Sequence, residues 1–277
     1  MNWTLGYNTN GFTNHRLADA IDILADIGYG AVAITLDHHA LNPFSATLDA
    51  DLKRVRSQLR GRNLRCVIET GARFLLDARR KHRPTLVSAA PEDRARRAEF
   101  ICHAVAIARR LDAEAVSLWS GALDEPGDHD AFEWLISGCR HCLEHADTRG
   151  VRLAFEPEPG MFVERMEQYE RLGRRVDHPL FGLTLDVGHI HCLSDGEPAN
   201  RIRQFAGRLF NVHIEDMCAG VHEHRMFGEG EMRFEPIIAA LDAVGYDGCV
   251  CVELSRHSHD AVRAAQQAYD YLSRLIR

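Results

Sequence analysis

The sequence predicts an α/β fold, a single (β/α)8 barrel spanning residues 1–277. Three observations predict it. The chain has 277 residues, close to the size typical of one such barrel. Short β-type runs alternate with longer amphipathic segments eight times. No linker, low-complexity tract or shift in composition divides the chain. An open doubly wound sheet is the competing architecture, but no G-x-G-x-x-G follows the first strand, and eight units suit a ring better than a line.

The elements follow in order. The first strand is expected at 3–8, and residues 16–28, RLADAIDILADIG, repeat apolar side chains every three and four positions before a glycine stop, as a surface helix does. The second strand, 31–36, contains AVAIT, a nearly continuous apolar run suited to a parallel strand covered on both faces. The third, 64–69, contains RCVIE in the same style. Residues 71–90 then show no period and read as a functional loop rather than a boundary. The fourth strand is expected at 114–119. Beyond it Cys139 and Cys142 form a C-x-x-C inside a helical pattern, with no second pair at zinc-site spacing. Strands five, six and seven are expected at 151–156, 181–186 and 208–214, and the helix EPIIAALDAVG leads to the eighth at 248–253. IGYGAVAI before strand two and VGYDGCVCV before strand eight are two copies of one βα junction.

Composition narrows the function. A formal charge of −7 gives phosphodiester backbones no broad attraction, so nucleic acid is a poor candidate partner and a small molecule a good one. No apolar stretch approaches the roughly 20 residues that a membrane span needs. The start, MNWTLGYNTNGF, lacks the basic region and apolar core of a secretory signal, so the expected location is cytoplasmic. Of the eight cysteines, Cys66, Cys102, Cys249 and Cys251 sit in apolar surroundings where the thiol acts as a small hydrophobe, and reduced thiols are expected.

Catalytic groups in such barrels stand at the carboxyl ends of the strands. VRLAFE ends at Glu156, FGLTLD ends at Asp186, LFNVHIED carries His213 with Glu215 and Asp216 just beyond, and GCVCVE ends at Glu253. Each of these four alone is explained as well by a polar cap satisfied locally. Together at matching strand ends they favour a metal site, because three carboxylates and an imidazole crowded without a counterion cost on the order of several kcal/mol. Three oxygens and one nitrogen suit one divalent ion: Mn²⁺, Mg²⁺, Co²⁺ or Zn²⁺. Trp119 either floors a substrate pocket or caps the core. Glu158, in EPEP, either touches substrate or belongs to a rigid turn that aims Glu156. The run GARFLLDARRKHRPTL, residues 71–86, carries Arg73, Arg79, Arg80, Lys81, His82 and Arg83. It is either a lid with an anion site, since guanidinium forks suit phosphate and carboxylate, or a solvated basic run partly neutralised by Asp77.

At LAFEPEPG, LTLDVGH, NVHIED, FGEGEMRF and YDGCVCVEL the chain resembles the xylose isomerase-like TIM barrel superfamily, which includes ketose epimerases, hydroxypyruvate isomerases, inosose dehydratases and the endonuclease IV group. The resemblance runs over nearly the whole chain. It implies that Glu156, Asp186, His213 and Glu253 are metal ligands and that His189 contacts substrate or metal. VHEHRMFGEGEM, residues 221–232, is similar to the family's loop after strand seven, where Gly228 and Gly230 would let backbone approach a ligand. The nuclease branch has an aspartate and a histidine where this chain has His222 and His224, and histidines where it has Glu69 and Trp119-Ser120, so a trinuclear nuclease site is not expected. His222, His224 and Glu69 either help to hold a second metal or face substrate with His189 and Arg73.

The activity implied by the resemblance is a metal-dependent isomerase or epimerase of a sugar, sugar phosphate or polyol. Glu156 and Glu253 would face each other across the substrate, one removing a proton next to a carbonyl and the other returning it through an enediolate. The alternative is a lyase that dehydrates a keto-polyol or inosose, or cleaves an oxidised glycoside; an endonuclease IV-like nuclease ranks third. The expected partner is a polyhydroxy carbonyl compound, neutral or anionic, and a homo-oligomer is left open.

Overall fold

The computed structural model describes residues 1–125 and 130–276. In chain order these form β1 (Thr4–Asn8), α1 (Leu17–Ile27), β2 (Ala31–Thr35), α2 (Leu48–Gly61), β3 (Arg65–Glu69), α3 (Pro91–Leu111), β4 (Ala115–Leu118), α4 (Ala131–Asp147), β5 (Arg152–Phe155), α5 (Met166–Val176), β6 (Phe181–Asp186), α6 (Val187–Cys192), α7 (Pro198–Phe205), β7 (Leu209–Ile214), β8 (Asp216–Cys218), β9 (Val221–Arg225), α8 (Glu235–Ala243), β10 (Cys249–Val252) and α9 (Ala261–Leu275). Eight of the strands close into a parallel barrel in the order β1, β10, β7, β6, β5, β4, β3, β2. Each lies inside the window the sequence predicts. Among the described residues no helix is long and apolar enough to cross a membrane.

The strands read as continuous apolar runs because both faces are covered: every residue of β2 and of β10 is buried. Side chains alternate between the two faces. Val32, Ile34, Cys66, Ile68, Val250 and Val252 belong to the layer packed under the helices, whereas Ala31, Ala33, Val67, Cys249 and Cys251 form a separate cluster inside the barrel. Gly6 completes that interior, since a Cβ there would stand 2.8 Å from Cys251 Sγ and 3.0 Å from the Ala31 Cβ. Two residues further along each inward column the side chains turn polar: Thr35 on β2, Glu69 on β3, Glu253 after β10. The site is therefore the upper layer of the barrel's own interior.

The helices follow the expected spacing. α1 buries Leu17, Ala20, Ile21 and Leu24, worth roughly 2 kcal/mol for each large side chain. It ends at Gly28, whose φ of 118° lets its N–H reach the Leu24 and Ala25 carbonyls.

The structure differs from the expectation after strand seven. Residues 216–225 form an antiparallel hairpin of β8 and β9 rather than an irregular loop. VHEHR lacks an apolar alternation, so nothing in its pattern signals a strand; a long-range anchor supplies the order. The Asp216 carboxylate accepts from the backbone N–H groups of Met217, Gly228, Gly230 and Met232 at 2.8–3.1 Å. The close backbone approach expected of Gly228 and Gly230 is thus made to Asp216, and a Cβ on Gly230 would meet Asp216 Oδ1 at 2.2 Å.

Candidate active site

β5, β6, β7 and β10 bring one donor atom each of Glu156, Asp186, His213 and Glu253 within 4.8 Å of one another. Asp186 pairs with His213 across β6 and β7, which sets both at one height on the rim. Asp186 also caps α6, its Oδ1 accepting from the His189 N–H at 2.8 Å, while its buried Oδ2 accepts no hydrogen bond among the described residues. That is why the apolar run of strand six finishes in an acid: the residue both starts a helix and faces the mouth.

His213 is held from both ring nitrogens. Nδ1 lies 3.1 Å from Glu156 Oε1 and 2.8 Å from Glu253 Oε2, and Nε2 lies 3.0 Å from Glu69 Oε1. Asn211 Nδ2 donates to the same Glu69 oxygen at 3.2 Å, and Asn10 Nδ2 donates to Glu253 Oε1 at 2.7 Å. Burial works against charging His213, but Glu69, Glu156 and Glu253 outweigh it and hold its pKa well above the ordinary imidazole value. Burial pushes Glu156 up to about 8, His213 offsetting part of the rise. Glu158 and Glu215 are also pushed well above the ordinary carboxyl range, by burial first and then by neighbouring carboxylates.

These side chains fit a divalent cation. The donors are three carboxylates and one imidazole in a buried cluster, a mostly hard set. Asp186 Oδ2 and both carboxylate oxygens of Glu215 are buried without a hydrogen-bond partner among the described residues, which leaves negative charge that only a proton or a cation can offset. Gly188 makes room for Glu215, because a Cβ there would stand 2.1 Å from its Oε1.

A cavity of about 260 Å³ opens above the cluster. Glu69, Arg73, Trp119, Glu156, Glu158, His213, His222, His224 and Glu253 all line it, while Asp186 and His189 lie outside the lining. β9 carries His222 and His224 over the mouth, where they meet His189 from α6; the His189 and His222 Nε2 atoms are 3.1 Å apart. Burial pushes His189 down to about 4, so its ring is neutral near pH 7. Glu69 does not join these histidines but lies against His213 and Asn211, which separates the three residues considered together for a second metal.

The basic run of the 71–86 loop divides. Arg80 pairs with Asp77 at 2.7 Å and Arg83 with Asp124 at 2.6 Å, so neither is free for a ligand. Arg73 and Lys81 line the cavity. Arg73 is braced by Asp37 at 3.3 Å and by the Asn10 carbonyl at 3.0 Å. Trp119 lines the cavity with the Arg97 guanidinium 4.4 Å from its ring centre. Glu158 has both features weighed in the sequence: its side chain lines the cavity, and its backbone closes a turn with Met161 and Val163. Asn10 and Asn211 escape a reading of the sequence, and Glu215, noted there just beyond His213, was given no role. Asn211 carried a usable signal, being two residues before His213 and so on the same strand face.

Comparison with known proteins gives a consistent result. The family model described as xylose isomerase-like TIM barrel matches residues 21–275. The inosose dehydratase of Lactiplantibacillus plantarum is 28% identical over 161 residues, covering 50% of this chain and 53% of that protein. The chain thus spans about half the length of this curated relative. The L-ribulose-5-phosphate 3-epimerase of Shigella flexneri is 24% identical over 212 residues, covering 74% of this chain and 73% of that protein. A solved structure of the IolI protein with a bound zinc atom superposes with a TM-score of 0.79 at 17% identity, covering 99% of this chain and 98% of that one.

Proposed function

The chain belongs to the xylose isomerase-like TIM barrel family, and from that premise we propose that it is a divalent-metal-dependent isomerase or epimerase of a polyhydroxylated carbonyl compound. The observation that carries the reading is the mutual approach, within 4.8 Å, of donor atoms from Glu156, Asp186, His213 and Glu253 in the barrel mouth. These four side chains would hold the cation, whose charge polarises a carbonyl and its neighbouring hydroxyl. The remaining chemistry belongs to the chain. Glu156, just after β5, and Glu253, just after β10, the strand next to β7, approach one nitrogen of His213 from opposite sides of β7, so a substrate seated above them has a carboxylate on either side. One takes the proton next to the carbonyl and the other returns a proton to the enediolate. Glu69 keeps His213 oriented through Nε2. Arg73 and Lys81 supply positive charge on the cavity wall and suit a substrate that carries a carboxylate or phosphate.

Dehydration is the second reading, favoured by the inosose dehydratase relative and by Glu158, a carboxyl on the cavity wall that burial pushes well above its ordinary range and that would protonate a departing hydroxyl. Incubation with keto-sugars, their phosphates and inososes in deuterated water tests both. Epimerisation or isomerisation builds solvent deuterium into a product of unchanged formula, whereas dehydration yields a product lighter by one water. Glu156→Gln and Glu253→Gln are each expected to abolish turnover in a folded barrel. Near-normal turnover in either variant overturns the assignment of the two bases.

A further inference from the structure

Away from the barrel mouth, α3 and α4 pack side by side on the outer layer. His141 and His145 stand four residues apart on α4, so their rings share one face, with centroids 5.2 Å apart. Cys102 reaches them from α3: its Sγ and one nitrogen of each ring all lie within 4.8 Å of one another. Tetrahedral zinc with Zn–S of about 2.3 Å and Zn–N of about 2.0–2.1 Å sets its ligand atoms roughly 3.3–3.6 Å apart, within reach of small side-chain rotations. No hydrogen bond engages either ring nitrogen pair among the described residues, and Cys102 is a free thiol. The three side chains also line a surface cleft of about 410 Å³, with Arg94, Glu99 and Trp134 around it.

We propose that Cys102, His141 and His145 form a second metal site, remote from the barrel mouth, that binds Zn²⁺ through one thiolate and two imidazoles with its fourth position open to the cleft. The donor chemistry separates the two sites. A thiolate with two imidazoles is a softer set than the carboxylate-rich mouth and selects zinc over magnesium or manganese. Binding displaces the Cys102 thiol proton to solvent and ties α3 to α4. α3 carries Arg97, which donates to the Thr70 carbonyl at 2.7 Å and lies against Trp119 in the cavity wall. The bound ion therefore braces the helix behind that wall.

Cobalt(II) reads the site directly, because thiolate ligation gives a near-ultraviolet charge-transfer band that carboxylate and imidazole donors do not. The full chain, stripped with a chelator and titrated with Co²⁺, is expected to develop this band whether or not the barrel mouth fills. Cys102→Ser is expected to lose the band and to hold one equivalent of zinc fewer per chain than the unaltered protein after identical loading. His141→Ala, at an exposed position, is expected to lose the same equivalent without disturbing the core. Absence of the band in the unaltered protein, or an unchanged band and zinc content in Cys102→Ser, overturns the site.

Discussion

His213 is the residue on which the mouth turns. Carboxylates face both of its nitrogens, so the ring cannot rotate without breaking a contact, and Glu69 fixes which nitrogen is left for the cavity side. Such partners typically change metal affinity by about 10–100-fold. Glu69→Ala is therefore expected to weaken divalent-metal binding by roughly that factor, and Glu69→Gln, which keeps an acceptor oxygen, by less; calorimetric titration that finds both variants equal to the unaltered protein removes Glu69 from this role. His82 makes a different statement about single residues. Burial pushes it down to about 4, outweighing the hydrogen bond between its Nδ1 and the Gly71 carbonyl at 2.6 Å, which favours the charged form, so the folded protein keeps it neutral near pH 7. The unfolded chain takes up this proton near pH 6.5, so it binds more protons than the folded one between about pH 6.5 and 4, and stability falls as pH drops through that window. The loss amounts to roughly 3 kcal/mol at most. Urea unfolding of His82→Gln between pH 7 and pH 4 is expected to show a shallower decline than the unaltered protein; parallel declines would exclude His82 as a source of acid sensitivity.

At the scale of elements, the β8–β9 hairpin depends on one buried acid. Asp216 accepts four backbone N–H groups that have no other partner in the turn, and it holds the segment that sets His222 and His224 over the cavity. Asp216→Ala is expected to cost about 2–4 kcal/mol of local stability and to open residues 217–232 to proteolysis, with the barrel intact. Protection equal to the unaltered protein would show that the hairpin holds itself. The same hairpin marks the limit of what was legible. The eight barrel strands announce themselves by continuous apolar runs, because each is buried on both faces and the pattern is local. The candidate site was legible for the same reason, because the apolar runs of strands five, six and the last barrel strand stop at Glu156, Asp186 and Glu253, and strand seven carries His213 next to its end. VHEHR has a single apolar residue, Val221, and its order comes from an acid and glycines that meet it only in three dimensions. Cys102 was read as a small hydrophobe for an equivalent reason: its two histidine neighbours come from another helix, and only their own spacing of four is written in the sequence.

At the scale of the whole molecule, the barrel interior is divided between a lower layer that supplies stability and an upper layer that costs it. Gly6, Ala31, Ala33, Val67, Cys249 and Cys251 fill the lower layer with small groups at close contact. The upper layer crowds the carboxyls of Glu69, Glu156, Asp186, Glu215 and Glu253 around one imidazole, where burial makes their ionisation costly to the metal-free fold. Substitutions in the two layers should therefore act in opposite ways. Gly6→Val overpacks the lower layer, and a cost of about 1–3 kcal/mol is expected, or a Tm lower by roughly 2–4 °C per kcal/mol, with metal stoichiometry and turnover kept below the transition. Glu156→Gln replaces a carboxyl that burial pushes up to about 8 with a group that cannot ionise. In chelated protein its Tm is expected to equal or exceed that of the unaltered chain, although turnover is lost. Scanning calorimetry of the two variants with and without metal decides the matter. A Gly6→Val protein that keeps its Tm but loses its metal, or a chelated Glu156→Gln protein that melts well below the unaltered one, would show that the two layers do not divide stability from chemistry in this way.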